Sequence, residues 1–291
     1  MSNFYDLQKE IVNKLHVDGD DVREYEARLI IEEISGYTYT ELQTTNVAFN
    51  PEQRARIDAI IAARNGGEPI AYALGHSNFY GTELNVDERV LIPRSETEVV
   101  VEKAINLLKE QEYKPQMVID IGTGSGAIAI TLAGKVTNLK VVAVDISKDA
   151  LDVAQNNYEA FERDQVTDST VTFLQSDCFE AFDESLQGTF DLIISNPPYI
   201  GEDEKQGLEE TVKSFEPHTA LFAGDEGYAI YHKIVRESLS WLKPGGYLVL
   251  EIAPRHSEKI RDQFELLKYG EVEIIKDLSD RDRVAIARRM I

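Results

Sequence analysis

Two stretches carry the residue types best suited to chemistry. The first is Asn196-Pro197-Pro198-Tyr199, directly after the apolar run 190–195, FDLIIS. Proline fixes φ and has no N–H, so the pair holds a stiff, extended turn that cannot join a sheet. An isolated Pro-Pro would only stop a strand; this one carries an amide on one side and a phenol on the other. The second stretch is VIDIGTGSGAIAI, in which Gly122, Gly124 and Gly126 let the chain turn sharply and approach a ligand through its backbone. Its spacing is G-x-G-x-G after Asp120, not the G-x-G-x-x-G of dinucleotide folds, and no Lys-Ser/Thr follows to make a P-loop. Asp145 closes the next apolar run and suits a ribose diol as hydrogen-bond acceptor; its alternative is to cap the helix that follows. Asp177 and Cys178 come after the third run, where an adenine ring could lie; the alternative for Asp177 is a purely structural role.

Such residues need strands to deliver them. Short β-branched runs at 117–122, 140–146, 170–175, 190–195 and 247–252 alternate with helical segments at 96–109, 126–134, 148–160 and 227–242. This alternation predicts a doubly wound, mostly parallel α/β sheet. Two last strands, 271–276 and 283–288, lie too close together for a crossover helix, so they pair antiparallel. Residues 1–75 read as helical, with Phe4, Leu7, Ile11, Val12 and Leu15, then Val22, Tyr25, Leu29 and Ile30, at helical spacing. Asp20 or Asp21 and then Asn50, with Pro51 in the first turn, are the start signals; Gly36 and Gly66-Gly67 are the stops. Residues 77–93 suggest a β-hairpin. The expected domains are a helical bundle for recognition over 1–75, a hairpin linker over 76–94 and a catalytic domain over 95–291.

Composition narrows the classes. Thirty basic against 52 acidic residues give a net charge of −22, which repels phosphate backbones at long range and counts against general nucleic-acid binding. The first 90 residues, with 16 acidic against 8 basic, do not reverse this. A single cysteine excludes an intrachain disulfide and any multi-cysteine metal site. No run approaches a membrane span, and the start has neither a basic region nor an apolar signal core. These features predict a cytoplasmic protein without a metal, and a monomer is favoured.

The glycine loop, Asp145 and the segment at Asp177 together resemble the class I S-adenosylmethionine-dependent methyltransferases. That resemblance implies a seven-stranded sheet with an antiparallel last strand and a cofactor lying across the strand ends. The fourth strand would then lead into the reacting centre at Asn196. NPPY is similar to the (D/N/S)-P-P-(Y/F/W) signature of methyltransferases acting on planar nitrogen. The lone pair of such a nitrogen is delocalised, which makes it a poor nucleophile. The Asn196 side-chain oxygen and the Pro197 carbonyl can each accept one N–H and so aim the lone pair, with the prolines holding both acceptors rigid. Tyr199 can stack on the planar group.

Seven ordered segments narrow the likeness: 67–102, the glycine loop, SDCF, SNPPYI, 215–234, YLVLEI and DRDRVAIAR. Together they resemble the PrmC/HemK family, the glutamine methyltransferases of peptide chain release factors, over about residues 65–290. The family implies S-adenosyl-L-methionine as cofactor and the glutamine amide of a Gly-Gly-Gln motif as substrate. By match, Gly122, Thr123, Gly124, Ser125, Gly126, Asp145, Cys178 and Asn196 bind cofactor, and Asn196, Pro197, Pro198 and Tyr199 hold the glutamine. Cys178 stands where a larger residue, often Trp, is usual, and Ser95 replaces a common proline. Arg94 falls in a segment expected to line the cofactor pocket, with a surface salt bridge to Glu96 or Glu98 as its alternative. Glu251 is read as a support behind the site or as a structural residue. The loop holding Glu216 and His218 either folds over the substrate or caps the next helix. Rival readings are methylation of a ribosomal-protein glutamine or of an adenine amine, a non-catalytic cofactor-binding module, and a nicotinamide-dependent dehydrogenase, which the glycine spacing opposes.

Overall fold

A computed structural model describes residues 4–110, 115–207, 210–224 and 227–290. The chain divides into two compact units. The first runs to His76 and takes in a later short helix ending at Phe215; the second holds the remainder.

In the first unit, α1 (Phe4–Val12), α2 (Asp20–Ser35), α3 (Tyr39–Leu42), α4 (Pro51–Asn65) and α5 (Ile70–Leu74) surround one apolar core. Asn50 caps α4 through a reciprocal pair with Gln53, and Pro51 occupies the first turn, where no N–H is needed. Gly36 ends α2 in the left-handed conformation, at φ 71°. The buried face of α2 is Ala27, Ile30, Ile31 and Ile34, whereas Val22 and Tyr25, expected on it, are 42% and 52% exposed. The face is rotated because Glu26 is buried too, its carboxylate held by the Arg64 guanidinium at 2.9 Å.

The second unit opens with a two-stranded hairpin, β1 (His76–Phe79) and β2 (Thr82–Asn85), turned at Gly81. Then α6 (Ser95–Lys109), β3 (Gln116–Ile121), α7 (Ala127–Lys135), β4 (Leu139–Asp145), α8 (Lys148–Asp164), β5 (Thr170–Gln175) and β6 (Phe190–Ser195) alternate. After β6 come α9 (Glu210–Phe215), which belongs to the first unit, and α10 (His218–Leu221). The chain closes with α11 (Ala229–Trp241), β7 (Leu242–Glu251), α12 (Ser257–Leu266), β8 (Gly270–Lys276) and β9 (Asp282–Arg288). The sequence pattern does not reveal the helix over 257–266.

The seven-stranded sheet has the order β5-β4-β3-β6-β7-β9-β8, parallel except for β9, which runs antiparallel to both neighbours. Successive residues of β3 point to opposite faces, so Val118 joins the core under α6 and α7 while Ile119 and Ile121 join the core under α11. Burial on both faces explains why the central strands β3 and β6 read as apolar runs. The strand order reverses at β3, whose neighbours are β4 and β6. Ligands of open α/β sheets bind outside the carboxyl ends of the strands at such a point. Pairing aligns Ile121 with Val144 and with Ser195, so the residues following these three strands emerge side by side.

Candidate active site

At that edge lies a cavity of ≈ 270 Å³. Its lining includes Gly122 and Gly124 after β3, Asp145 at the end of β4, Asp177 and Cys178 after β5, and Asn196, Pro197 and Pro198 after β6. One further wall is Arg89, Val90 and Leu91, before α6, and another is Pro217, Thr219, Ala220 and Phe222.

The glycine loop is built by backbone bonds. The amides of Gly122 and Thr123 both donate to the Val144 carbonyl, at 2.8 and 2.9 Å, and Gly126 closes the turn on Thr123 at 2.8 Å. A Cβ on Gly126 would sit 2.9 Å from Ile130 Cδ1 and 3.3 Å from Ala154 Cβ, so this glycine serves helix packing. A Cβ on Gly124 would meet nothing within 4 Å, and this position looks into the cavity. Thr123 instead turns inward and donates to buried Asp120 at 2.7 Å, with burial pushing the Asp120 carboxyl up to about 7. Thr123, Ser125 and Gly126, expected with the cofactor-binding residues, shape the loop and are not among the residues lining the cavity.

Asp145 accepts from the amides of Gly124 and Ser147, both at 2.9 Å, so it is both loop tie and cavity wall. The carboxylate, with about four acceptor sites, retains capacity for a ligand. The cap on α8 is the Ser147 hydroxyl, bonded to the Ala150 amide at 3.2 Å, not Asp145. Asp177 lines the cavity while ion-paired with Lys233 at 3.0 Å. Cys178 adopts φ 52°, and burial pushes its thiol up to about 12, so it presents a neutral wall.

Arg94 does not line the cavity; its guanidinium pairs with the carboxylate of Glu216, at 2.5 Å, and with neither expected partner, Glu96 or Glu98. The pair ties the segment before α6 to the start of the loop that walls the cavity. That loop is also tied to NPPY. The Ile200 amide donates to the Leu221 carbonyl, and the Ala223 amide to the Ile200 carbonyl, each at 3.0 Å. His218 stacks edge-on against Phe222.

Within NPPY no peptide bond is cis. The Tyr199 ring does not line the cavity, as stacking on a substrate would need in this arrangement; it packs against the core under α11. Burial raises its hydroxyl pKa, beside Glu251, Arg283 and Arg94. The Tyr199 carbonyl accepts from Arg255 Nη2 at 2.6 Å. Glu251 also lies outside the lining, 1% exposed, and is linked to Asn196 through Thr97. Asn196 Nδ2 donates to Thr97 Oγ1 at 3.0 Å, and Thr97 Oγ1 donates to Glu251 Oε2 at 2.6 Å. Sequence reasoning missed Thr97, Arg255, Arg283 and Gly227. Thr97 follows the recognisable IPRSE run and Gly227 stands out as a glycine, but the partners of neither were readable from one chain.

A reversed parallel sheet with a glycine loop after its first strand, an acid after its second and NPPY after its fourth defines a class I S-adenosylmethionine-dependent methyltransferase. Residues 6–75 match the family described as the PrmC N-terminal domain, and residues 99–215 the methyltransferase small domain. A release factor glutamine methyltransferase of Koribacter versatilis (strain Ellin345) is 38% identical over 255 residues, 87% of this chain and 84% of that protein. That of Escherichia coli (strain K12) is 36% identical over 287 residues, 96% of each. The structure of a T. thermophilus 16S rRNA N2 G1207 methyltransferase with AdoMet and guanosine shares the fold, with a TM-score of 0.51 at 19% identity over 74% of this chain and 49% of that one. The chain belongs to the release factor glutamine methyltransferase family.

Proposed function

We propose that this chain is a cytoplasmic enzyme that methylates the side-chain amide nitrogen of the glutamine in the Gly-Gly-Gln motif of peptide chain release factors. Family membership sets the reaction, and one observation carries the mechanism. The Asn196 carboxamide directs its nitrogen away to Thr97, which leaves its oxygen as the acceptor at the cavity wall. Beside it, the Pro197 carbonyl is held by a backbone that cannot rotate freely. A primary amide has two N–H bonds, and two rigid acceptors fix both. The nitrogen lone pair then points along a single line.

The residues present fit the cofactor. The open face of Gly124 and the adjoining Gly122 admit its amino-acid part, Asp145 offers acceptors to a ribose, and Cys178 with Asp177 borders the base. S-adenosylmethionine, when bound, supplies an electrophilic methyl group on a sulfonium. The chain contributes position: Asn196 and Pro197 aim the nucleophile, and the walls from Pro217 to Phe222 and from Arg89 to Leu91 limit water. Carbonyl oxygens also stabilise the positive charge that develops on the amide nitrogen as its lone pair is used. The first unit is the part assigned to gripping the release factor.

Replacing Asp145 by Ala is expected to weaken S-adenosylhomocysteine binding about tenfold or more, since each hydrogen bond to a charged acceptor contributes about 1.5–3 kcal/mol. Calorimetric titration checks this, and unchanged affinity would leave Asp145 only its ties to Gly124 and Ser147. The function itself is tested by offering labelled cofactor with release factor, with ribosomal proteins and with RNA in parallel. Label is expected in the release factor; label in ribosomal protein or RNA alone would refute the substrate assignment.

A further inference from the structure

We infer that Thr97, braced from behind by Glu251 and Arg283, is the positioning residue that locks the Asn196 carboxamide with its oxygen toward the substrate. This rests on the function proposed above and adds residues that the NPPY motif does not contain. Thr97, 4% exposed in the first turn of α6, has a single hydroxyl proton. An ionised Glu251 has only acceptors, and at 2.6 Å it takes that proton. Thr97 Oγ1 is left as an acceptor, so Asn196 must turn its N–H toward it. A flipped carboxamide would set two lone-pair oxygens face to face. It would also offer the substrate amide an N–H where the substrate has only N–H bonds to give.

The polarity of the relay is set at its far end. Arg283, 7% exposed on β9, lies 3.8 Å from Glu251 Oε1 and is held by Asp277 at 3.1 Å. The guanidinium has no acceptor, so it fixes Glu251 as the receiving end of the chain. Glu251 ends β7 opposite Val284, and the Ile252 amide donates to the Arg283 carbonyl at 2.8 Å, so both groups sit on paired backbone. The relay thus runs from the antiparallel end of the sheet to the reacting centre without entering the cavity.

Charge on Glu251 is also the relay's weak point. Around it stand Arg283 from β9, Arg94 and Glu96 from the start of α6, Tyr199 after β6 and Tyr231 of α11. Burial outweighs the cations and pushes its carboxyl up to about 7. Protonated Glu251 can donate to Thr97, whose own proton then turns to Asn196 and stabilises the flipped amide. The rate of transfer therefore rises with pH through about 7 in the native enzyme.

Three variants of the full chain test this: Thr97→Val, which keeps shape without a hydroxyl; Thr97→Ser, which restores it; and Glu251→Gln. The carboxamide introduced by Glu251→Gln would give its oxygen to Arg283 and its N–H₂ to Thr97, reversing the relay. Thr97→Val and Glu251→Gln are expected to lose about 10²-fold in kcat, the scale of a misaligned reacting group. Cofactor affinity should stay within about threefold, because the interaction lost acts in the transition state. Thr97→Ser should recover the rate to within about threefold, and the rise near pH 7 should vanish in Glu251→Gln. Slow exchange of the ¹⁵N-labelled Asn196 side-chain protons, lost in Thr97→Val, gives a readout that needs no protein substrate. If native enzyme fails to methylate release factor, the functional reading fails and the exchange measurement decides the relay alone. The relay is overturned if Thr97→Val and Glu251→Gln both keep native kcat, or if Asn196 exchange is equally fast with and without the hydroxyl. Should Thr97→Val not fold, Glu251→Gln and its pH profile decide.

Discussion

Asn196→Ala is expected to lower methyl transfer by about 10³-fold, the upper range for losing one preorganised polar group at a reacting centre. The alanine removes the acceptor for one substrate N–H and also orphans the Thr97 hydroxyl on its buried side. With one acceptor gone, the planar amide can pivot about its remaining bond, and its lone pair no longer lies on the methyl transfer line. Affinity for S-adenosylhomocysteine should change by only a few-fold, since Gly122, Gly124, Asp145 and Cys178 remain as walls. Single-turnover rates beside calorimetric affinity separate the two effects. Loss of cofactor binding instead would make Asn196 a cavity wall and not an amide clamp.

Gly227→Ala is expected to cost about 10²-fold in rate, although residue 227 touches neither candidate ligand. Gly227 has φ +67°, and a Cβ there would lie 2.2 Å from the Tyr199 carbonyl oxygen and 2.9 Å from Arg255 Nη2. Backbone cannot tolerate such an approach, so the end of NPPY must move. The same carbonyl is gripped by Arg255, whose other nitrogen pairs with Glu204, so the turn cannot shift without breaking that contact. A shift of about an ångström at Tyr199 passes through two prolines to the Pro197 carbonyl, and displacement on that scale costs about 10²-fold. The strain of φ > 0 in a non-glycine residue adds about 1–3 kcal/mol, so the melting temperature should fall by several degrees as well. Rate and thermal unfolding measured on the same variant check both. Full activity would mean that the Tyr199 carbonyl does not fix the turn.

The extent to which sequence foretold this arrangement differs by element for physical reasons. Strand 190–195 is buried throughout and reads as an apolar run, while 170–175, at the sheet edge, alternates exposed Thr170 and Thr172 with buried Val171; both emerged with their bounds unchanged. The closely spaced final pair was legible because no helix fits between them. The helix over 257–266 escaped because it begins with Pro254 and His256 in a short turn and carries six charged or amide side chains among ten. The buried face of α2 was misjudged because Glu26 is neutralised by Arg64, a partner 38 positions away.

At the site, residues reaching the cavity through backbone or strand ends were visible as motifs. Of those acting through another side chain, Glu251 and Arg94 were named from the family resemblance without their partners, and Thr97 was not named at all. Thr97 lies 99 positions from Asn196 and 154 from Glu251, and no local spacing records such contacts. Thr123 shows the converse: inside the glycine motif, yet bonded to Asp120 and turned from the cavity. Arg94 likewise found Glu216, 122 positions on, in place of the acids beside it.

The central claim is that the acceptor is a glutamine amide of a release factor. The most direct measurement is mass-spectrometric mapping of the transferred methyl on purified release factor, intact and with Gln→Ala in its Gly-Gly-Gln. One methyl group is expected on that glutamine side chain and none on the Ala form. A methyl group still gained by the Ala form would contradict the claim.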